Sequence, residues 1–367
     1  MTDQLTVDLG HRSYPICFAD SLGFYTKLIT AHFYDSRDNI AIIYDNRVGE
    51  TPKHFADGER MVKLGLDAGE AAKSFQQLEL ITETLAEKKI DRGGAIIAEG
   101  GGVIGDLAGF AAATYLRGID FYQVPTTLLA MVDSSVGGKT GINIKAGKNL
   151  VGAFWQPKAV FICTDFLRTL PLGEFLAGMA EVIKYGMLYD RALFDQLVGL
   201  EKKLTWDHAE LPGIIRRCCE IKAAVVKADE TETAASGGRA LLNLGHTFAH
   251  AIENVAGYGT YLHGEAVGIG LVMAAELSLM LTKDGREGYG FSAADVTAVR
   301  ELVAGYGLMT KLYKPLDIDA LMDAMRRDKK VRAGQLRFIA MEKIGRAVTV
   351  EDVSEAWIRE LWQAYGA

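Results

Sequence analysis

Short apolar runs alternate with amphipathic stretches through the first half of the chain. NIAIIYDN (Asn39 to Asn46) reads as a buried strand that closes on a polar turn. MVKLGLDAGEAAKSFQQLELITETLAEKKI begins as a strand, turns at Gly69, and continues as a helix with apolar positions at Leu78, Ile81 and Leu85. GAIIAEG (Gly94 to Gly100) and IDFYQVPTT (Ile119 to Thr127) read as two more strands. Strands alternating with helices predict a parallel sheet with right-handed crossovers. After about Thr169 strand-like runs become scarce, and helical patterns dominate from Glu174 to Met280. A boundary near Leu170 and Pro171 divides the chain into an α/β domain, 1–170, and an all-α domain, 171–367. The longest apolar run, Ala266 to Leu281, is interrupted by Glu276. It falls short of the ~20 apolar residues that span a bilayer, so it reads as a buried core helix.

Composition narrows the function classes. The 367 residues exceed one compact core and suit two domains. A net charge of −7 argues against nucleic-acid binding, so an anionic ligand would need a local basic cluster. Cys17, Cys163, Cys218 and Cys219 form no CxxC pair, and adjacent cysteines rarely bridge without strain. The opening MTDQLTVDLG lacks a basic start followed by an apolar block. A reducing, cytoplasmic setting away from membranes is the expectation.

Two stretches carry candidate ligand chemistry. Gly100-x-Gly102-x-x-Gly105 follows a strand and opens a helix, which is the context a dinucleotide-binding turn requires. Glycines there admit a pyrophosphate to the N–H groups and partial positive charge of a helix start. Counting ~20 positions on for a ribose-binding carboxylate reaches Asp120. Asp120 sits at the front of its strand, whereas Asp45 lies at the C-terminal end of IAIIYD and is better placed. The second stretch, Val124 to Pro157, holds Thr126, Thr127, Asp133, Lys139, Lys145, Lys148 and Asn149. Its GGKT is not a P-loop, because the first glycine of that motif would fall on Asp133. Lysines beside glycines still suit a phosphate.

Three of seven histidines, His246, His250 and His263, lie within LNLGHTFAHAIENVAGYGTYLHGEAV. Glu181 and Lys184 share a helical face in AGMAEVIKYG. Two neutral imidazoles and a carboxylate suit zinc or a similar divalent ion with open positions. By spacing, His246 pairs with His250 at i, i+4 and His263 is spare.

Taken together, GGGVIGDLAGFAAATYLRG, VPTTLLAMVDSSVGGKTGIN, GKNLVGAFWQP, AGMAEVIKYG, LNLGHTFAHAIE, LHGEAV and RDKK resemble the 3-dehydroquinate synthase family of sugar phosphate cyclases, over nearly the whole length. The resemblance implies a Rossmann-like NAD-binding domain followed by a helical metal-binding domain. It also implies NAD, a zinc or cobalt ion, a sugar phosphate substrate and a homodimer. By position it implies Glu181, His246 and His263 as metal ligands and moves His250 to the substrate pocket. Both histidine pairings supply the same donor types, so only geometry separates them.

The implied nucleotide contacts are Asp45, Glu70, Lys73, Gly101, Gly102, Val103, Asp106, Thr126, Thr127, Lys139, Lys148 and Thr169. The implied substrate pocket is Arg117, Asp133, Lys139, Asn149, Lys184, Lys222, Arg239, Asn243, His250 and Lys330, with Lys329 as the alternative to the last. The family's reaction is the conversion of 3-deoxy-D-arabino-heptulosonate 7-phosphate to 3-dehydroquinate and phosphate. It runs through transient oxidation, phosphate elimination, reduction, ring opening and aldol closure. The basic pocket residues would offset the substrate's phosphate and carboxylate in an otherwise acidic protein. Rival readings are a valiolone-type cyclase on the same scaffold, a metal-dependent polyol dehydrogenase, and a catalytically dead sensor. Asn243 and the RDKK lysine favour the synthase.

Overall fold

In the computed structural model the described residues are 3–33, 39–48, 61–67, 69–234, 237–257, 259–327 and 336–367. The strands are β1 (Asp3–Val7), β2 (Tyr14–Ala19), β3 (Ile40–Asp45), β4 (Val62–Leu66), β5 (Ala95–Gly100), β6 (Asp120–Pro125), β7 (Lys139–Ile144), β8 (Gly147–Phe154), β9 (Ala159–Cys163), β10 (Phe338–Lys343) and β11 (Arg346–Val350). The helices are α1 (Leu22–His32), α2 (Phe75–Glu87), α3 (Gly102–Thr114), α4 (Leu172–Leu188), α5 (Arg191–Gly199), α6 (Leu211–Ala228), α7 (His246–Ala256), α8 (His263–Lys283), α9 (Ala293–Gly305), α10 (Ile318–Arg327) and α11 (Glu355–Ala364). They form two compact units, Met1–Pro171 with Thr205–Thr231, and Leu172–Leu204 with Glu232–Ala367. A single cut at 170 would strip α6 from the first unit. There α6 packs on β1, with Arg216 reaching Asp3 at 2.5 Å.

The first unit is built on a sheet of order β1-β2-β9-β6-β5-β3-β4. All neighbours pair parallel except β1 with β2. Every residue of β5 and β9 is buried, as expected for strands covered on both faces. The chain runs from β3 outward to β4, then returns to place β5 on the other side of β3. That reversal puts the C-terminal ends of β3 and β5 at a switch point of strand order, where open α/β sheets generally bind ligands. Asp45 ends β3 and Gly100 ends β5.

Helix α2 starts at Ser74, whose hydroxyl accepts from the Gln77 N–H, and turns Ile81 and Leu85 inward. They join Ile96, Ala98, Ile104, Leu107 and Ala108 in one core between α2, α3 and the sheet. No glycine from Gly100 to Gly105 takes a positive φ, so conformational freedom is not their purpose. Space is. A Cβ at Gly105 would lie 2.8 Å from Gln123 Oε1, and one at Gly102 2.9 Å from Ser134 Oγ. Strands β7 and β8 form a separate antiparallel hairpin that carries the basic stretch.

The second unit is mostly helical, but the expectation of an all-α domain needs correction. FIAMEK and RAVTV pair as an antiparallel hairpin, β10 with β11, around Gly345 at φ +86°. The hairpin stays because it is tied to helices. The Met341 N–H donates to Ser278 Oγ of α8 at 2.9 Å, and the Gly345 N–H to the Met187 carbonyl at 2.8 Å. Helix α8 is long and apolar enough to cross a membrane, yet it is largely buried against α4, α7, α9 and β10.

Two close approaches fix how α4, α7 and α8 meet. A Cβ on Gly264 of α8 would sit 2.1 Å from Ala177 Cα of α4. A Cβ on Gly270 would sit 2.2 Å from the carbonyl oxygen of Gly245, which precedes α7 at φ +77°. Backbone cannot yield as a side chain can, so Gly264→Ala should destabilise the protein by about 3 kcal/mol. Gly213→Ala is the control. Gly213 sits exposed in α6 with no atom within 4 Å of its would-be Cβ. That change should be neutral or stabilise by up to ~1 kcal/mol. Thermal and urea denaturation of the two variants check both expectations.

Candidate active site

On the first unit, α3 begins at the β5 end with Gly101 as its N-cap, which offers no side-chain bond to the first-turn N–H groups. Gly101, Gly102 and Val103 are half-buried there. Thr126 is buried and its N–H donates to the Gly100 carbonyl at 2.9 Å. Thr127 Oγ1 accepts from the Ala130 N–H at 3.1 Å. Asp45 is buried, and Arg47 closes on its carboxylate through Nε at 3.0 Å and Nη2 at 2.7 Å. Thr169 is exposed at the end of the 3-10 turn Thr164–Thr169.

Lys73 is the hub beside α3. It is only 4% exposed, and its Nζ donates to Asp106 Oδ2 at 2.6 Å and to Asn149 Oδ1. Burial raises the Asp106 carboxyl above its usual range, while Lys73 pulls it back down. Asn143, which the sequence reading left unassigned, ties the hub together. Its Nδ2 donates to Glu70 Oε1 at 2.8 Å, and its Oδ1 accepts from the Asn149 N–H at 2.9 Å. Asn149 takes φ +53° in β8, a conformation asparagine tolerates better than most residues. An asparagine one bulge away from another carries no periodic signal that would have singled it out.

Lys222 of α6 is 5% exposed and grips Asp133 twice, at the backbone carbonyl and at Oδ1, 2.7 Å away. Asp133 sits in a π-helical turn, Ala130–Ser134, closed by Ser135 N–H to the Ala130 carbonyl at 3.1 Å. Such turns recur at functional sites, where they re-aim one side chain. Lys139 is exposed at the start of β7 and Lys148 is half-buried in β8. Arg117 is exposed, and both it and Leu116 hold positive φ, 69° and 49°.

The second unit gathers a different chemistry. Glu181 of α4 is 1% exposed. His246 and His263 are the first residues of α7 and α8. One donor atom from each of the three lies within 4.8 Å of the others. Both Nε2 atoms face the same carboxylate oxygen, Glu181 Oε1, at 3.4 Å from His246 and 3.8 Å from His263. Neither Glu181 oxygen accepts a hydrogen bond of good geometry, although Lys184 Nζ lies against Oε2. A buried carboxylate facing two imidazoles is a donor set that fits a divalent cation with open positions.

The outer nitrogens are also engaged. His246 Nδ1 meets the Leu244 carbonyl at 3.1 Å, and His263 Nδ1 lies 3.6 Å from Glu253 Oε2. His250, the i, i+4 partner expected from spacing, is outside this cluster. Its ring stands edge-on to His246 with centroids 5.6 Å apart. The reason is tertiary: α8 starts beside Glu181, which brings His263 to the same carboxylate. Arg239, buried, and Asn243 share the 3-10 turn Gly238–Asn243 that leads into α7. Lys329 and Lys330 lie outside the described residues.

Comparison with known proteins places these residues in a family. Residues 63–177 match the family described as 3-dehydroquinate synthase N-terminal, and residues 178–331 the one described as 3-dehydroquinate synthase C-terminal. A 3-dehydroquinate synthase of Opitutus terrae is 54% identical, covering 100% of both chains. Another, from Pseudoalteromonas translucida, is 46% identical over 98% of this chain and 99% of its own. The solved 2-epi-5-epi-valiolone synthase of Streptomyces hygroscopicus subsp. jinggangensis, with NAD+ and Zn2+ bound, matches with a TM-score of 0.82. It is 26% identical and covers 98% of both chains.

The cluster predicts a pH dependence. Burial lowers the basicity of His263, but Glu181 and Glu253 outweigh it and push its pKa from 6.5 up to about 10. A raised imidazole pKa contributes stability that is fully present below pH 6.5 and lost as pH rises through about 10. After chelation of metal, wild type should therefore exceed His263→Gln in stability most below pH 6.5. The gap should close towards pH 10, as read by urea denaturation across that range.

Proposed function

The chain belongs to the 3-dehydroquinate synthase family, and from that premise we infer that it converts 3-deoxy-D-arabino-heptulosonate 7-phosphate to 3-dehydroquinate and phosphate. The observation that carries the reading onto this chain's own atoms is the buried Glu181 carboxylate with two imidazoles on one oxygen and Lys184 on the other. Glu181, His246 and His263 would hold the divalent metal. Gly101, Gly102 and Val103 would present N–H groups to the NAD pyrophosphate, with Asp45 at the ribose. Glu70, Lys73, Asp106, Thr126, Thr127, Lys139, Lys148 and Thr169 complete the nucleotide contacts in this reading. Held there, NAD would supply a reversible hydride acceptor and the metal would supply Lewis acidity.

The chain's own groups handle charge and protons. The substrate brings a phosphate and a carboxylate. Arg117, Lys139, Lys222, Arg239 and Lys330 are proposed to neutralise them, arginine as a fork and lysine as a point charge. Lys222 arrives already charged and oriented by Asp133, which lowers the cost of ordering it when an anion binds. Lys184 is held the same way by Glu181. Asn149, Asn243 and His250 are hydrogen-bonding groups able to orient hydroxyls and relay a proton.

A cytoplasmic homodimer is part of the proposal. Four free, buried cysteines support a reducing compartment. Exposed Phe75 and Leu116, with Leu78 and Tyr115, form an apolar groove next to Arg117 that a second copy would cover.

Purified protein given the heptulosonate phosphate, a divalent metal and catalytic NAD+ should release phosphate and dehydroquinate in equal amounts, with no net NADH. Turnover of a heptulose 7-phosphate instead would move the chain to the valiolone branch, and accumulating NADH would make it a dehydrogenase. His263→Ala should lose the metal. His250→Ala should keep it and slow turnover by about 100-fold or more. The opposite pattern would restore the i, i+4 histidine pair.

A further inference from the structure

Helix α7 presents two chemically matched side chains on one face. His246 and Glu253 are seven residues apart, two turns of helix, so they project to the same side. His246 reaches Glu181 through Nε2. Glu253 is 8% exposed and places Oε2 3.6 Å from His263 Nδ1. A carboxylate buried in the last turns of a helix is unfavourably placed, because the helix dipole and the loss of water both oppose its charge. Proximity to an imidazole N–H offsets that cost.

The two histidines are thereby treated alike. Each has Nδ1 turned to an acceptor, the Leu244 carbonyl for His246 and the Glu253 carboxylate for His263. Each has Nε2 turned to Glu181 Oε1. An imidazole has one N–H when neutral, so an acceptor at Nδ1 draws the proton there and leaves the Nε2 lone pair for a cation.

We propose that Glu253 is a positioning residue of the metal centre. It fixes His263 as the Nδ1–H tautomer, holds the ring plane, and raises the donor strength of Nε2. This rests on the reading of Glu181, His246 and His263 as ligands. Outer carboxylates of this type contribute 10- to 100-fold in metal affinity elsewhere. His246 Nδ1 meets a backbone carbonyl, a partner that no side-chain substitution removes. Glu253 is the substitutable partner at His263 Nδ1.

The test is zinc affinity of the full-length protein, measured by chelator competition, with the absorption spectrum of the cobalt form as a second readout. Glu253→Met keeps length and apolar bulk in a buried position but removes the acceptor. It should weaken zinc binding about 10- to 100-fold and alter the cobalt bands. Glu253→Gln keeps an acceptor oxygen and should restore most of the affinity. A Glu253→Met protein with wild-type affinity and spectrum would overturn the proposal. So would equal losses in the Met and Gln variants, which would assign the effect to charge alone. Should Glu253→Met fail to fold, nitrogen-15 histidine spectra of the zinc-loaded wild type decide: a proton on His263 Nδ1 is required, and a metal-bound Nδ1 refutes it. Wild type that binds no zinc would instead sink the ligand assignment itself, a separately visible result.

Discussion

Helices α4, α7 and α8 can meet as closely as they do only because side chains are missing at their contacts. Gly264 lies against Ala177 Cα, and Gly270 against the carbonyl of Gly245. Both contacts are next to the proposed ligands: Gly264 follows His263, Gly245 precedes His246, and Ala177 is one turn before Glu181. The three donor atoms are therefore spaced by backbone contact, the least compliant kind available in a protein interior. A site that must hold a cation within a few tenths of an ångström needs that stiffness. The outer partners of the two histidines, Leu244 and Glu253, then orient rings whose positions the helices have already set.

A second regularity concerns buried cations. Lys73, Lys184 and Lys222 are 4%, 1% and 5% exposed, and each rests against a carboxylate: Asp106, Glu181 and Asp133. An unpaired ammonium at such depth would bear a large desolvation cost. Pairing offsets that cost and also locks a side chain that would otherwise be among the most mobile. The pairs add little net stability, since desolvation offsets most of the attraction. In the proposed function their value is pre-ordered positive charge for an anionic substrate, in a protein whose overall charge is −7.

Local pattern carried the centre of the first unit, from β3 to β6. The runs ending at Asp45 and Gly100 became β3 and β5, and the helix after Gly69 became α2, because strand and helix periodicities are properties of neighbouring residues. Ala266 to Leu281 was legible as a buried helix for the same reason. The hairpin of β10 and β11 carried little periodic signal, because FIAMEK is a continuous apolar run that ends in two charges and RAVTV does not alternate. The place of α6 was not legible at all, since an amphipathic helix does not record which surface its apolar face will meet.

What the amino-acid order determined by itself was the inventory: a glycine turn between strand and helix, a lysine-rich stretch, and histidines near a Glu-Lys face. What tertiary structure decided was which members meet. Spacing favoured His246 with His250, since i, i+4 neighbours share a helix face whatever the fold. The structure instead brings His263, seventeen residues from His246, to the same oxygen of Glu181. Folding also set Gly102 and Gly105 close against the side chains of Ser134 and Gln123, approaches that the sequence did not disclose. Distances between separate helices depend on how surfaces pack, and that information is spread over contacts no local window contains.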